Sequence, residues 1–431
     1  MDARYAFRKR QLLEECQVAP EIFEQVIPRL YTFMEPFVKT FQGQAAAQHA
    51  RTYVCGLLSD VKRKNIESIA YRFGQSRLPL QGFLGWDEWD DEPLRHELIV
   101  QVKTHLGQGD GVLVFDPSGF AKSGRESVGV ARQWCGRLGK ADNCQVAMYL
   151  GYVSSKGHTL VDTRLSLPKA WTKDKARLDK AGVPQAVRGY RTRHQLALEM
   201  LANNGARLPH RWIAGDDEMG RPYWFRRRLA ALGERYLLAV PSNTAIRDLE
   251  VEPPASSGRG RRSTRPWQNV AAWSQSLGEE AWRSIDVRDG AKGPLVVEAV
   301  KRRVASRTHR RQQGDEEMLV VIRYRDRDNQ QVIKVDYYLS NAGPETPLWE
   351  CARVAKAEHR IEECLQRSKS EAGLADYEVR NWTGWQHHQT LSLLATWFLV
   401  RETERGKKMD PCDDLTADSP GHRDDLTRRV S

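Results

Sequence analysis

Three carboxylates and one ammonium stand out in this 431-residue sequence by where they fall. Asp116 follows the apolar run GVLVFD, Asp216 closes the run RWIAGD, and Glu362 lies in the helical stretch AKAEHRIEECLQRSKSEAGL with Lys369 seven residues further on. Seven residues are two helical turns, so Glu362 and Lys369 share a face. Carboxylates gathered at strand ends repel one another unless a hard cation sits among them, and Mg²⁺ takes such oxygens together with waters and phosphate oxygens. Two Mg²⁺ ions about 4 Å apart, for which Mn²⁺ can substitute, activate a water or a 3′-hydroxyl for in-line displacement at phosphorus. Other assignments stay open on spacing alone. Asp116 and Asp216 could each cap a turn, Asp217 and Glu218 adjoin Asp216, and Glu358, Glu363 and Glu371 share the helix with Glu362. The apolar stripe Ile361, Cys364, Leu365, Ser368 borders Glu362 and favours it.

The elements that must position these groups follow from periodicity. Apolar residues return every three or four positions from Gln11 to about His105, which predicts a helical domain over 1–107, including one helix across RTYVCGLLSDVKRKNIESIAYRF. Pro93 suits a first turn, and Gly107 a helix end. From Gly111 the pattern changes to strands: GVLVFD, then NCQVAMYLGYVSS and HTLVDTRLSLP as a hairpin partner, with RWIAGDD and RYLLAVPSN after intervening helices. This α/β pattern predicts a catalytic core with its first part at 108–250 and its C-terminal helices at 341–405. Asp216 and Glu362 are 146 residues apart, so a separate module, 251–340, lies between them. It opens with EPPASSGRGRRSTRP, a loop composition, and continues with MLVVIRYRD and QVIKVDYYLSN, which predict a small sheet. The tail, 406–431, is predicted to be disordered.

Charge points to the partner. The chain has 67 Lys and Arg against 56 Asp and Glu, a net charge of +11 and a pI near 9.3, which suits a polyanion. Between Arg259 and Arg311 there are 13 basic and 5 acidic residues. The clusters Arg259, Arg261, Arg262, Arg265 and Lys301, Arg302, Arg303, Arg307, Arg310, Arg311 suit phosphates rather than base edges. Trp267, Trp273 and Trp282 are candidates to stack on an unpaired base, and Lys62, Arg63 and Lys64 could meet a phosphate backbone from a helix. Seven widely spaced cysteines without a CxxC pair read as reduced thiols, and no run of about 18 apolar residues exists, so a cytoplasmic, nucleoid-associated protein is expected. His194, His210, His387 and His388 lack zinc-site spacing.

The runs VLVFDPSGFAKSGRESVGVARQWCGRLGKADNCQVAMYLGYVS, WIAGDDEMG and HRIEECLQRSKSEAGLADYEVRNWTGWQHHQTLSLLATWFL resemble transposases of the insertion-sequence 701 family within the DDE superfamily. The resemblance implies an RNase H-like core interrupted by an insertion, with a mixed sheet and flanking helices. It further implies Mg²⁺-dependent cleavage of double-stranded DNA at terminal inverted repeats, transfer of the 3′-hydroxyl ends to target DNA, and a homodimer in the DNA complex. On that likeness Asp116, Asp216 and Glu362 are the metal-binding acids and Lys369 matches the signature lysine. Where the related signature has an Arg four residues before the Glu and a Tyr three before that, this chain has Glu358 and Ala355, with His359 and Arg360 as the nearby positive charges.

Overall fold

A computed structural model describes residues 25–254, 265–290, 293–326 and 329–409 of the chain. Among the described residues five helices come first: α1 (Val26–Val38), α2 (Gln44–Leu57), α3 (Ile66–Arg72), α4 (Arg77–Gly85) and α5 (Glu92–Leu106), the last with Pro93 in its first turn. The single helix expected around residues 51–73 is two. Asn65 ends the continuity because its side chain accepts the Ser68 N–H at 2.9 Å and starts α3 afresh. Lys62 and Arg63 are therefore exposed on a loop, not a helix face. Lys64 is buried, and its ammonium donates to the Glu371 carbonyl at 2.7 Å, at the C-terminal end of a later helix. A cation suits that end of a helix dipole. This corrects the expectation that Lys64 meets a phosphate backbone.

The helices share one core with the rest of the chain. Their partner is α9 (Trp382–Met409), which follows α8 (Leu348–Glu371). Arg29 pairs with Glu402 at 2.6 Å, the Trp89 ring stacks on His387 at 3.6 Å, and Trp397 Nε1 donates to Gln101 at 3.0 Å. Tyr53 meets His388 Nδ1 at 2.8 Å, and the other ring nitrogen faces the Leu374 carbonyl. Burial, reinforced by Lys122, pushes His388 down to about 3 from an ordinary value of 6.5. Between those two values the unfolded chain binds more protons at this site than the folded one, so its contribution to stability is complete above pH 6.5 and is lost as pH falls toward 3. Each pH unit in that window is expected to cost up to about 1.4 kcal/mol. Urea unfolding at pH 7 and pH 5 checks this: the acid loss should shrink in His388→Gln, and an equal loss in both proteins would refute it.

The sheet begins with β1 (Val112–Ala121), β2 (Ala131–Cys135), β3 (Lys140–Val153) and β4 (His158–Leu165). After α6 (Arg193–Asn204) come β5 (Trp212–Gly215), α7 (Tyr223–Ala231), β6 (Tyr236–Ala239) and β7 (Ala245–Asp248). The intervening segment adds β8 (Gln268–Asn269), β9 (Arg283–Gly290), β10 (Gly293–Arg307), β11 (Gln313–Arg325) and β12 (Val332–Ser340). The order is β2-β3-β1-β5-β6-β12-β11-β10-β7-β8, with β4 also on β3 and β9 also on β10. Strands β1, β5 and β6 are parallel, whereas β3 and β4 are antiparallel. This is the RNase H-like mixed sheet with flanking helices. The inserted strands do not form a small sheet of their own: β12 pairs antiparallel with β6, Leu339 opposite Leu238, and continues the same sheet. No helix among the described residues is long and apolar enough to cross a membrane.

Candidate active site

The parallel pair β1 and β5 ends at Phe115 opposite Gly215, and the next residue on each strand is an aspartate. Asp116 is not a strand tip as expected. β1 runs on to Ala121 because its other edge stays paired with β3, Asp116 opposite Tyr149. Asp216 ends β5 and caps the turn Asp217–Gly220, its Oδ1 accepting the Met219 N–H at 3.0 Å. That turn rests on β6 so closely that a Cβ on Gly220 would lie 1.8 Å from the Ala239 carbonyl oxygen, and only glycine fits. The cap and the acid are thus the same side chain.

Helix α8 supplies the third wall. A Cβ on Gly151 of β3 would lie 2.4 Å from Ile361 Cδ1, so the missing side chain seats the helix on the sheet there. Ile361, Cys364, Leu365 and Ser368 are buried, and Glu358, Glu362 and Lys369 border that stripe at helical spacing. Lys369 Nζ lies 5.3 Å from the ring centre of Phe120, which shares a β1 face with Asp116.

Electrostatics ties these groups together. Burial raises Asp116 to about 8, Asp216 and Glu362 add to the rise, and Lys369 opposes it. Burial likewise raises Asp216 to about 7, against the pull of the Met219 N–H and Arg193. Glu358 is raised to about 8 by burial and then by Asp216, Asp116 and Asp336, with Lys334 opposing. Glu362 behaves differently. It is exposed, and the neighbouring His359 lowers it. His359 bridges Glu362 at 3.7 Å and Glu363 at 3.2 Å. Arg360 instead donates to the Ser154 carbonyl at 3.4 Å.

Among the described residues no three or more His, Cys, Asp or Glu side chains already form a ligand cage. The donor set nevertheless fits a hard divalent cation. It consists of carboxylate oxygens alone, and Asp116 and Asp216 are half-buried acids in one another's field, a repulsion that a cation relieves.

The residues expected to bind DNA divide into several groups. Arg259, Arg261 and Arg262 lie outside the described residues, and Arg265 donates to the Val251 carbonyl at 2.6 Å. Lys301, Arg302 and Arg303 are engaged within the molecule. Lys301 donates to the Pro344 and Thr346 carbonyls, Arg302 pairs with Glu250 at 2.8 Å, and Arg303 pairs with Glu316 at 2.6 Å. Each of these three residues on β10 has met an acceptor from a neighbouring strand or loop. Arg307, Arg310 and Arg311 are exposed at the β10–β11 hairpin. Trp273 is buried and donates to Asp248 at 3.0 Å, so it packs the insertion and cannot stack on a base. Trp267 carries the Arg247 and Arg307 guanidinium groups 4.4 and 5.4 Å from its ring centre, and Trp282 that of Arg323 at 4.1 Å.

Two features stand apart from the sequence reading, the first weighed there only as a rival to Glu362 and the second not seen at all. Glu358 faces both aspartates, and its place one turn before Glu362 is the signal that marks it. The second is a buried network without any sequence signal. Arg226 on α7 donates to Glu317 of β11 at 2.7 and 3.1 Å, to Ser306 of β10 at 2.7 Å, and to the Gly220 carbonyl that ends the Asp216 turn. Tyr236 donates to Glu317 at 2.7 Å.

Two comparisons with known proteins agree with this geometry. A stretch of 97 residues is 40% identical to the protein named "Probable transposase for insertion sequence element IS701" from Microchaete diplosiphon, covering 22% of this chain and 25% of that relative. The chain therefore matches about a quarter of the length of this curated relative. The family model described as DDE superfamily endonuclease matches residues 36–294, a span that contains Asp116 and Asp216. With more than half of its length matched and two aspartates leaving adjacent rungs of an RNase H-like sheet, this chain belongs to the DDE superfamily endonucleases.

Proposed function

We propose that the chain is a DNA transposase that cuts at the terminal inverted repeats of its element and joins the exposed 3′-hydroxyl ends to target DNA. The observation that carries this reading is the convergence on Asp116, whose carboxyl feels Asp216 from the neighbouring strand, Glu362 and Lys369 from α8. Asp116, Asp216 and Glu362 would hold two Mg²⁺ or Mn²⁺ ions. When bound, such ions lower the pKa of an attacking water or hydroxyl and steady the leaving oxygen. The chain's own groups do the rest. Lys369 offsets negative charge beside Asp116 and would meet a phosphodiester oxygen. His359 favours the ionised form of Glu362 on the helix surface. Arg307, Arg310 and Arg311 at the exposed hairpin meet the DNA backbone, and the N-terminal helices contribute to recognising the element end. Cutting and joining two ends together calls for two copies of the chain on the DNA, hence a homodimer.

A second reading of the third ligand has its own support. Glu358 is half-buried and in the field of both aspartates, whereas Glu362 is exposed. Single-turnover cleavage of labelled element ends decides. Asp216→Asn and Glu362→Gln are each expected to lose at least about a hundredfold in rate with end binding retained. Glu358→Gln at wild-type rate keeps Glu362 as the ligand. The reverse pattern transfers the role to Glu358, and wild-type protein that binds ends specifically without cutting them in Mg²⁺ or Mn²⁺ refutes the enzyme.

A further inference from the structure

We propose that the outward face of α7 receives the DNA strand beside the acid cluster, an unpaired base lying on Trp224 and the adjoining phosphates on Arg227 and Arg228. The inference rests on the DNA-acting reading above and adds to it a surface for distorted, locally unpaired DNA.

The helix divides cleanly. Phe225, Arg226 and Leu229 are buried, while Arg221 just before it, Trp224, Arg227 and Arg228 face solvent. Residues 221, 224 and 228 follow helical spacing, so the indole lies among the guanidinium groups on one face. Trp224 is 47% exposed, which for so large an apolar ring in a cored protein leaves a platform uncovered. It is also fixed. The rings of His194 and Phe225 meet it edge-on with centroids 5.7 and 5.9 Å away. His194 in turn lies 3.0 Å from the Glu218 carbonyl oxygen, inside the turn that Asp216 caps. The platform is thereby tied to the backbone that places a catalytic acid.

Charge selects the occupant. Arg221 pairs with Asp217 at 3.2 Å, but neither Arg227 nor Arg228 makes an ion pair among the described residues. An aromatic ring flanked by cations suits a base and its phosphates, because every base has a π-face and each phosphate a charge. The tryptophans of the insertion do not offer the same surface: Trp273 is buried, and Trp267 and Trp282 lie against the protein's own arginines.

The test uses the full chain and a mixed-sequence duplex with a short single-stranded tail carrying 2-aminopurine. Wild type should quench the probe on binding. Trp224→Ala should lose the quench and bind the tail roughly 5- to 150-fold more weakly, and Trp224→Phe should recover part of both. Arg227→Gln with Arg228→Gln should keep the quench at saturating protein and reduce the slope of log Kd against log salt by about two. A Trp224→Ala protein with unchanged melting that quenches like wild type overturns the inference, as does an unchanged salt slope in the double variant. Asp116→Asn should quench normally. If wild type cuts DNA while these variants bind as wild type does, only the α7 surface falls. If wild type binds the probe through Trp224 yet never cuts element ends, the transposase reading falls instead. Failure of wild type to bind DNA removes both.

Discussion

Asp116→Asn is expected to lower metal-dependent DNA cleavage by at least about a hundred- to a thousandfold without lowering the melting temperature in EDTA. The two halves of that outcome have one cause. The Asp116 carboxyl is half-buried in the field of Asp216 and Glu362, and burial with their repulsion raises it to about 8. Asn keeps its shape and removes the repulsion, so the metal-free fold loses nothing. The same change removes a ligand oxygen, so the stabilisation that a bound cation gives to the native state shrinks. Thermal unfolding of both proteins in EDTA and in Mg²⁺ separates the effects. Only wild type should gain markedly with the metal. A variant that cleaves at the wild-type rate, or that melts several degrees lower in EDTA, would show that Asp116 serves the fold and not the chemistry.

Arg226→Met is expected to destabilise the protein by about 3–5 kcal/mol, the usual cost of leaving one member of a buried ion pair without its partner. Glu317 would remain buried with Tyr236 and Ser306 as its donors, and the Gly220 carbonyl would lose its guanidinium. Arg226→Met combined with Glu317→Leu should recover much of that loss, because apolar replacement of both partners removes the uncompensated charge. Denaturant unfolding of the two single variants and the double variant gives the coupling directly. Additive losses in the double variant would mean that the pair contributes no joint interaction across α7 and β11.

Much of the core was legible because its signals are local. The runs GVLVFD, NCQVAMYLGYV and HTLVDTRLSL carry the branched and aromatic residues that strands select, and all three became neighbouring strands. Asp216 stands where the apolar run stops, so its place at the end of β5 could be read directly. The short strand β2 could not. ARQWC is five residues of mixed polarity, and among the described residues it pairs only with β3. Asp116 looked like a strand tip because the apolar run ends there, yet pairing with β3 carries the strand five residues further. Lys64 read as part of a helical basic run, and only the distant Glu371 carbonyl reveals why it turns inward. Three basic residues of β10 kept their partners hidden for the same reason. Lys301, Arg302 and Arg303 are dense in sequence, but the groups that engage them come from elsewhere in the chain. Trp224 was hidden in an ordinary amphipathic pattern, since periodicity places a residue on the outer face without saying what it stands beside.

The pairing of β12 with β6 reaches beyond catalysis. Leu237, Leu238 and Ala239 have their backbone groups covered on that side by Tyr338, Leu339 and Ser340. Excising the inserted segment would bare an apolar strand edge, the kind of surface on which chains aggregate. The segment is thus not a cassette that recombination could drop or exchange freely. Any replacement would have to match the register of that seam before it could contribute anything else.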